Sequence, residues 1–224
     1  MMKYNKVMTK KAFIFDLDGV IVDTAKYHYL AWKDLADELG FEFTLEDNEL
    51  LKGVSRERSL DILLNIGKVT ISEEKRTKIL HQKNVTYLEY IAKMSSSEIL
   101  PGIPELLQYL KSNNIKFSLG SASKNARLIL ETLDLLKDFD AIVDGNDVSS
   151  AKPDPEVFLI AAEKLGTDPK QCIVVEDAQA GVEAANRAGM TSIGIGDKDV
   201  LGKANMVLPS TRELTIDIVE KLLD

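Results

Sequence analysis

Two carboxylates one residue apart stand in the stretch Phe13-Ile14-Phe15-Asp16-Leu17-Asp18-Gly19-Val20-Ile21-Val22-Asp23. The residues before Asp16 are aromatic and β-branched, which predicts a short buried strand ending at that acid, with a turn at Gly19. In extended chain, residues i and i+2 point to the same side, so Asp16 and Asp18 can face one small space. Carboxylates that close repel each other, and a bound cation or a shared proton relieves the repulsion. A single acid solvated at a strand end is commonplace. A pair at this spacing, after so apolar a run, favours a chemical role.

Further candidates follow other apolar runs. Ser121 follows Ile115–Leu119, Lys152 ends the loop after Ala141–Val143, and Glu176-Asp177 follow Cys172–Val175. Oxygen-only donors at such a site favour Mg2+, which keeps several waters and often bridges to a phosphate. Asp16, Glu176 and Asp177 supply enough carboxylate for it. With a cation and Lys152 neutralising the site, a phosphoryl group can approach Asp16, which then serves as nucleophile and forms an aspartyl phosphate. Asp18, two residues on, is placed to pass a proton to the leaving or attacking oxygen. Ser121 and the amides after it can hold the transferring oxygens. Taken singly, each fragment also reads as surface turn, strand-end cap or solvated loop. Their order, each after an apolar strand, is the strong signal.

The elements that must carry these residues alternate. Thr24 is a candidate N-cap for a helix with Trp32, Leu35, Ala36 and Leu39 on one face, closed by Gly40. His28 lies on it near the carboxylates, open to either a packed or a functional reading. From Gly40 to Met94 no buried strand is evident. Ser55 can cap a helix ended by Gly67, and Ser72 another that runs through Ile79, Leu80, Leu88 and Ile91. Between them, Leu51-Lys52-Gly53-Val54-Ser55-Arg56 is either solvated surface or an anion-holding turn at a helix start. Beyond Leu100 the chain reads as α/β units: a helix opened by Pro104, strand 115–119, helix 124–136, strand 141–143, helix 156–165, strand 172–175, a helix to Arg187 closed by Gly189, strands 191–195 and 206–208, and a terminal amphipathic helix. Such alternation predicts a parallel sheet with helices on both faces, whose ligands bind at the carboxyl ends of the strands.

The 224 residues allow one large domain or two modest ones. A net charge of -8 disfavours nucleic acid or an anionic membrane as partner, so an anionic substrate must rely on local cations or a metal. No stretch has the length to cross a bilayer. Met1–Lys10 has lysines but no apolar core of a secretory signal, and is expected to be a disordered extension. Cys172, the only cysteine, excludes an internal disulfide and suits a reducing cytoplasm; its apolar neighbours predict a buried thiol.

These motifs, in this order, resemble the haloacid dehalogenase-like superfamily. Phe15-Asp16-Leu17-Asp18-Gly19-Val20, Gly53-Val54-Ser55-Arg56-Glu57, Ser121-Ala122-Ser123-Lys124-Asn125 and Glu176-Asp177-Ala178-Gln179-Ala180-Gly181 are similar to those of its β-phosphoglucomutases, over nearly the whole chain beyond the first ten residues. The resemblance implies an α/β fold: a Rossmann-like parallel-sheet core (1–24 and 95–224) with an inserted helical cap domain (25–94). It implies a cytoplasmic, monomeric isomerase of carbohydrate metabolism, a phosphoprotein in turnover, converting β-D-glucose 1-phosphate to glucose 6-phosphate through β-glucose 1,6-bisphosphate. By that resemblance Asp16 is the nucleophile, Asp18 the acid/base, and Mg2+ is held by Asp16, the Asp18 carbonyl, Glu176 and Asp177. Ser121 and Lys152 hold the transferring phosphate, and Arg56, Ser123, Lys124 and Asn125 the distal one. Thr24 and His28 couple cap closure to placing Asp18. The substrate-binding set extends to Trp32, Gly53, Val54, Ser55, Ser59, Lys83 and Ala122. Two other readings compete: a magnesium-dependent phosphatase of small sugar phosphates on the same fold, and a non-catalytic binding protein, which the complete acid, lysine and serine set argues against.

Overall fold

The computed structural model describes residues 11–223, so the expectation for the first ten residues lies outside it. Among the described residues the sheet has six parallel strands in the order β3-β2-β1-β4-β5-β6. They are β1 Ala12–Phe15, β2 Phe117–Gly120, β3 Ala141–Val143, β4 Cys172–Glu176, β5 Thr191–Ile195 and β6 Met206–Leu208. The apolar runs are continuous because both faces are covered. Phe13 and Phe15 pack with Phe117, Leu119, Ile173 and Val175 on one face, while Ala12 and Ile14 pack with Cys172 and Val174 on the other.

Register brings the functional ends level. Phe15 pairs with Leu119 on one side and with Val175 on the other. One residue further, Asp16 therefore stands beside Gly120 and Glu176, with Ser121 and Asp177 next along their chains. From β1 the sheet grows through β2 and β3 on one side, then through β4, β5 and β6 on the other. That reversal opens a crevice at the carboxyl end of β1, where ligands of such sheets bind.

Between β1 and β2 lie α1 (Ala25–Leu39), α2 (Leu45–Glu49), α3 (Arg56–Gly67), α4 (Glu73–Ile91) and α5 (Ile103–Ser112). Helices α1, α3 and α4 share an apolar cluster of their own, built on Trp32, Leu35, Leu60, Leu63 and Ile79, with Phe43 added from the loop after α1. At their base, Ala31, Tyr87, Ile91 and Met94 join the sheet's cluster instead. The remaining helices are α6 (Ala126–Thr132), α7 (Glu156–Leu165), α8 (Gln179–Arg187), α9 (Lys198–Leu201) and α10 (Ile216–Leu223). No helix among the described residues is long and apolar enough to cross a membrane. Cys172 is a free, buried thiol.

Local expectations needed correction at several points. Thr24 holds the N-cap position of α1 as expected, but its side chain makes no capping bond there; its hydroxyl is committed to Asp18 instead. Helix α3 ends at Gly67 as expected, but the left-handed turn beyond it is made by Lys68 at φ 51, and Gly67 is glycine because the Phe41 ring lies where its Cβ would stand. Helix α2 was not anticipated, although Thr44 and Asp47 form a reciprocal capping box. Helix α6 is shorter than the 124–136 read from the sequence, since Lys124 and Asn125 belong to the preceding loop and Asp134 turns left-handed at φ 56.

Candidate active site

At the sheet's carboxyl rim, ligand oxygens of Asp16, Glu176 and Asp177 all lie within 4.8 Å of one another. Lys152, from the loop after β3, reaches in beneath them. Its Nζ donates to Asp16 Oδ1 at 2.6 Å and to Glu176 Oε2 at 2.8 Å, and lies 4.8 Å from the Phe158 ring. Burial alone would lower the lysine's pKa, but the two carboxylates outweigh it and the ammonium is held protonated. One ammonium cannot neutralise three acids. Burial, with the charge of Asp16 added, pushes Glu176 up to about 7, and burial with Glu176 and Asp16 raises Asp177 well above the carboxylate range. A dry, all-oxygen, over-acidic cluster fits a hard divalent cation. The backbone is shaped around it: a Cβ at Gly19, where φ is +78, would strike the Asp177 carboxylate, and one at Gly181 would strike that of Glu176.

Ser121 is buried at the same rim. Its Oγ accepts from the Ser123 amide at 3.1 Å, and Ser123 Oγ accepts from the Asn125 amide at 3.2 Å, so the loop after β2 is wound by its own hydroxyls. Ser121, Ala122, Ser123, Lys124 and Asn125 all face one cavity with Asp16, Asp18 and Asp177. Lys152 and Glu176 stand behind Asp16 rather than on the cavity wall.

Asp18 lines the same cavity as Asp16 and Asp177. Its side chain keeps 27% of its surface accessible, but that surface faces the cavity, where it feels an interior environment. Burial, with the charge of Asp16 added, pushes its carboxyl up to about 6, against the opposing pull of the hydrogen bond from Thr24 Oγ1. His28 Nε2 is 3.7 Å from Asp18 Oδ1, and its Nδ1 is 2.8 Å from Lys83 Nζ. Burial lowers the imidazole well below its ordinary value, with the Lys83 and Arg56 charges adding to the effect, so the ring is neutral. Lys83 in turn lies 4.8 Å from the Trp32 ring centre and 4.7 Å from that of Tyr87, which stacks on His28. Trp32 therefore forms a wall and a seat for Lys83.

The insert supplies the far end. Gly53 has φ +70, and a Cβ there would come within 2.7 Å of the Ala178 Cβ; glycine lets this loop lie directly over the start of α8. Gly53, Val54 and Arg56 consequently line the cavity. Burial lowers the Arg56 pKa from its usual value, and among the described residues no carboxylate lies at ion-pair distance from it. Ser59 also lines the cavity, its Oγ donating to the Ser55 carbonyl at 3.0 Å. Ser55 does not: its hydroxyl caps α3 by accepting from the Arg58 amide at 3.2 Å.

Several residues were absent from the sequence-based set. Lys52 Nζ approaches Asp177 Oδ2 at 3.7 Å, Asn84 Oδ1 accepts from Asn125 Nδ2 at 2.9 Å, and Glu57 Oε1 pairs with Lys124 Nζ at 2.9 Å. Tyr87 carried one usable signal, standing one helical turn after Lys83. The others are tertiary pairings.

The comparisons with known proteins agree with this geometry. The chain is 43% identical, over 94% of its own length and 94% of the relative's, to the β-phosphoglucomutase of Bacillus subtilis strain 168. It is 31% identical to a phosphorylated carbohydrates phosphatase of Thermotoga maritima, over 95% of this chain and all of that one. The crystal structure of a β-phosphoglucomutase from Clostridium difficile superposes with a TM-score of 0.90 at 46% identity, covering 95% of this chain and 96% of that one. Residues 10–189 match the haloacid dehalogenase-like hydrolases, and it is to that family that the chain belongs.

Proposed function

We propose that the protein is a β-phosphoglucomutase, an isomerase interconverting β-D-glucose 1-phosphate and glucose 6-phosphate through an aspartyl phosphate and β-glucose 1,6-bisphosphate. The observation that carries this reading is one cavity lined both by Asp16, backed by Lys152, and by Arg56, which among the described residues has no carboxylate at ion-pair distance. A mutase must grip a phosphate at both ends of its sugar; a phosphatase need not. The identities to the mutases of B. subtilis and C. difficile support the same conclusion.

In this reading Asp16, Glu176, Asp177 and the Asp18 carbonyl would hold Mg2+, which supplies neutralising charge for the phosphoryl oxygens. Phosphorylated Asp16 gives up its phosphoryl group to the 6-hydroxyl of β-glucose 1-phosphate while Asp18 takes that hydroxyl's proton. The bisphosphate turns over, Asp16 attacks the 1-phosphate, and Asp18 returns the proton to the departing sugar oxygen. A carboxyl at about 6 is suited to both directions. Lys152 and Ser121 hold the group in transfer; Arg56, Ser123, Lys124 and Asn125 hold the other. The neutral His28, held by Lys83 and Tyr87, orients Asp18 together with Thr24.

Phosphorus NMR of β-glucose 1-phosphate with Mg2+ and trace bisphosphate tests the reading. Glucose 6-phosphate is the expected product. Inorganic phosphate as the sole product selects the sugar-phosphate phosphatase instead, the second reading, which the Thermotoga relative favours.

A further inference from the structure

Arg56 and Glu57 are neighbours on the first turn of α3 but face different spaces. Arg56 lines the cavity that holds Asp16 and Asp18, whereas Glu57 lines an adjoining one on the far side of the Ser121–Asn125 loop. Lys124 borders both. Its ammonium is paired at 2.9 Å with Glu57, across the boundary between insert and core, with side-chain exposures of 43% and 46%.

The main chain beneath Lys124 is pinned. The Gly145 amide donates to the Ser123 carbonyl at 3.2 Å, and Asn146 Nδ2 donates to the Lys124 carbonyl at 3.0 Å. A Cβ on Gly145 would strike the Ala122 carbonyl, so the two loops are as close as glycine permits. Only the side chain of Lys124 is left free to change position.

We infer that Glu57 is a displaceable counterion for Lys124, occupying the ammonium until the distal phosphate of the substrate takes its place, and so sets how tightly a sugar phosphate binds. This rests on the proposed mutase reading, since it assigns Lys124 to the distal phosphate. The chemistry follows from charge. A half-exposed ion pair contributes little and exchanges readily, and a phosphate dianion offers Lys124 a stronger partner than a carboxylate does. Breaking the Glu57 pair, and leaving Glu57 close to the arriving anion, subtracts from binding. The device discriminates against weakly charged ligands and ties the insert to the core while the cavity is empty.

The test is calorimetric binding of glucose 6-phosphate, with glucose as uncharged control, to the full chain, Glu57→Gln, Lys124→Met and the double variant. Glu57→Gln is expected to bind glucose 6-phosphate about two- to fivefold more tightly, the range an exposed pair can supply. That gain is expected to disappear in the Lys124→Met background, and binding of glucose to be unchanged. Unchanged or weaker binding in Glu57→Gln overturns the inference, as does a gain that persists without Lys124. The mutase reading is judged separately: a wild-type chain that binds glucose 6-phosphate but does not isomerise β-glucose 1-phosphate refutes that reading, while the binding ratios still decide the role of Glu57. Failure of every form to bind glucose 6-phosphate overturns both.

Discussion

Lys83 Nζ lies 2.8 Å from His28 Nδ1, and the pair fixes the imidazole that faces Asp18. While Lys83 carries its proton it can only donate, so in that state Nδ1 accepts and the ring proton sits on Nε2, toward the carboxylate. Lys83 is buried beside two aromatic rings, and among the described residues no carboxylate lies at ion-pair distance from its nitrogen. Burial, with the Arg56 charge added, brings it down to about 7, opposed by Asp18.

A lysine lowered from 10.5 to about 7 on folding costs stability while it is charged, and the cost is relieved as pH rises from about 7 toward 10.5. Below that window the folded and unfolded chains are both protonated, and the cost is present in full. Lys83→Met is therefore expected to stabilise the chain at pH 6 by about 1–3 kcal/mol, the rings' attraction for the cation offsetting part of the gain. The advantage should shrink by pH 9. Denaturant melts of both proteins at the two pH values provide the check, and equal shifts at both would remove the buried charge as cause.

The acidic cluster predicts the opposite slope at lower pH. Glu176, raised from 4.5 to about 7, and Asp18, raised from 3.8 to about 6, keep protons in the folded state that the unfolded chain has lost. Stability of the metal-free protein should fall as pH rises through roughly 4 to 7, because the folded state binds more protons there. Millimolar Mg2+ should abolish the share of that fall owed to Glu176 by neutralising the cluster it belongs to, and EDTA should restore it. Thermal melts from pH 4.5 to 7.5, with and without Mg2+, show this directly; a metal-independent slope would place the titrating groups elsewhere.

Asp16 and Asp18 should separate by what survives their loss. Asp16→Asn is expected to abolish phosphoryl transfer, by at least about 10³-fold, because an amide is a poor nucleophile. Asp18→Ala is expected to slow transfer to sugar by about 10²–10⁴-fold while Mg2+ still raises the melting temperature, since Asp18 offers the metal only its carbonyl. Rapid-quench measurement of phosphoenzyme formation, beside turnover, distinguishes the two. Parallel loss of Mg2+ stabilisation in Asp18→Ala would assign its side chain to the metal.

How far the chain could be read in advance depended on the range of the interaction. Asp16, Ser121 and Glu176-Asp177 were legible because an apolar run that stops at a polar residue marks a strand end, and parallel strands align their ends. Thr24 was read as a cap because N-caps are local; its bond to Asp18 depends on the turn at Gly19, which folds the chain back. Gly67 looked like a stop signal, and only the Phe41 ring beside it explains why it is glycine. The stacking of Tyr87 on His28 and the pairing of Glu57 with Lys124 join segments 59 and 67 residues apart, and no local pattern announces them.

Arg56 decides whether the insert belongs to the mechanism. A bisphosphate must present each end in turn to Asp16, and the phosphate not in transfer needs a donor that stays charged and can make paired bonds. Arginine meets that need where lysine would not. Burial lowers the Arg56 pKa, yet a guanidinium remains protonated throughout the working range. Its position on the first turn of α3 adds the favourable field of the helix amides. Because it lies on the insert, its bond to the distal phosphate would also draw the insert over the core and exclude water from the phosphorylated Asp16. Removing it should therefore leave acquisition of phosphate from acetyl phosphate nearly intact while isomerisation falls. Truncating one side of a desolvated charge pair typically costs about 2–5 kcal/mol, so Arg56→Ala should lower kcat/KM for β-glucose 1-phosphate by about 30-fold or more. The bisphosphate concentration needed for activation should rise with it. Phosphorus NMR of the isomerisation, set beside acetyl phosphate consumption by the same preparations, measures both. Equal isomerisation by wild type and Arg56→Ala would take the insert out of the reaction and leave Asp16, Asp18 and Lys152 as a phosphatase site.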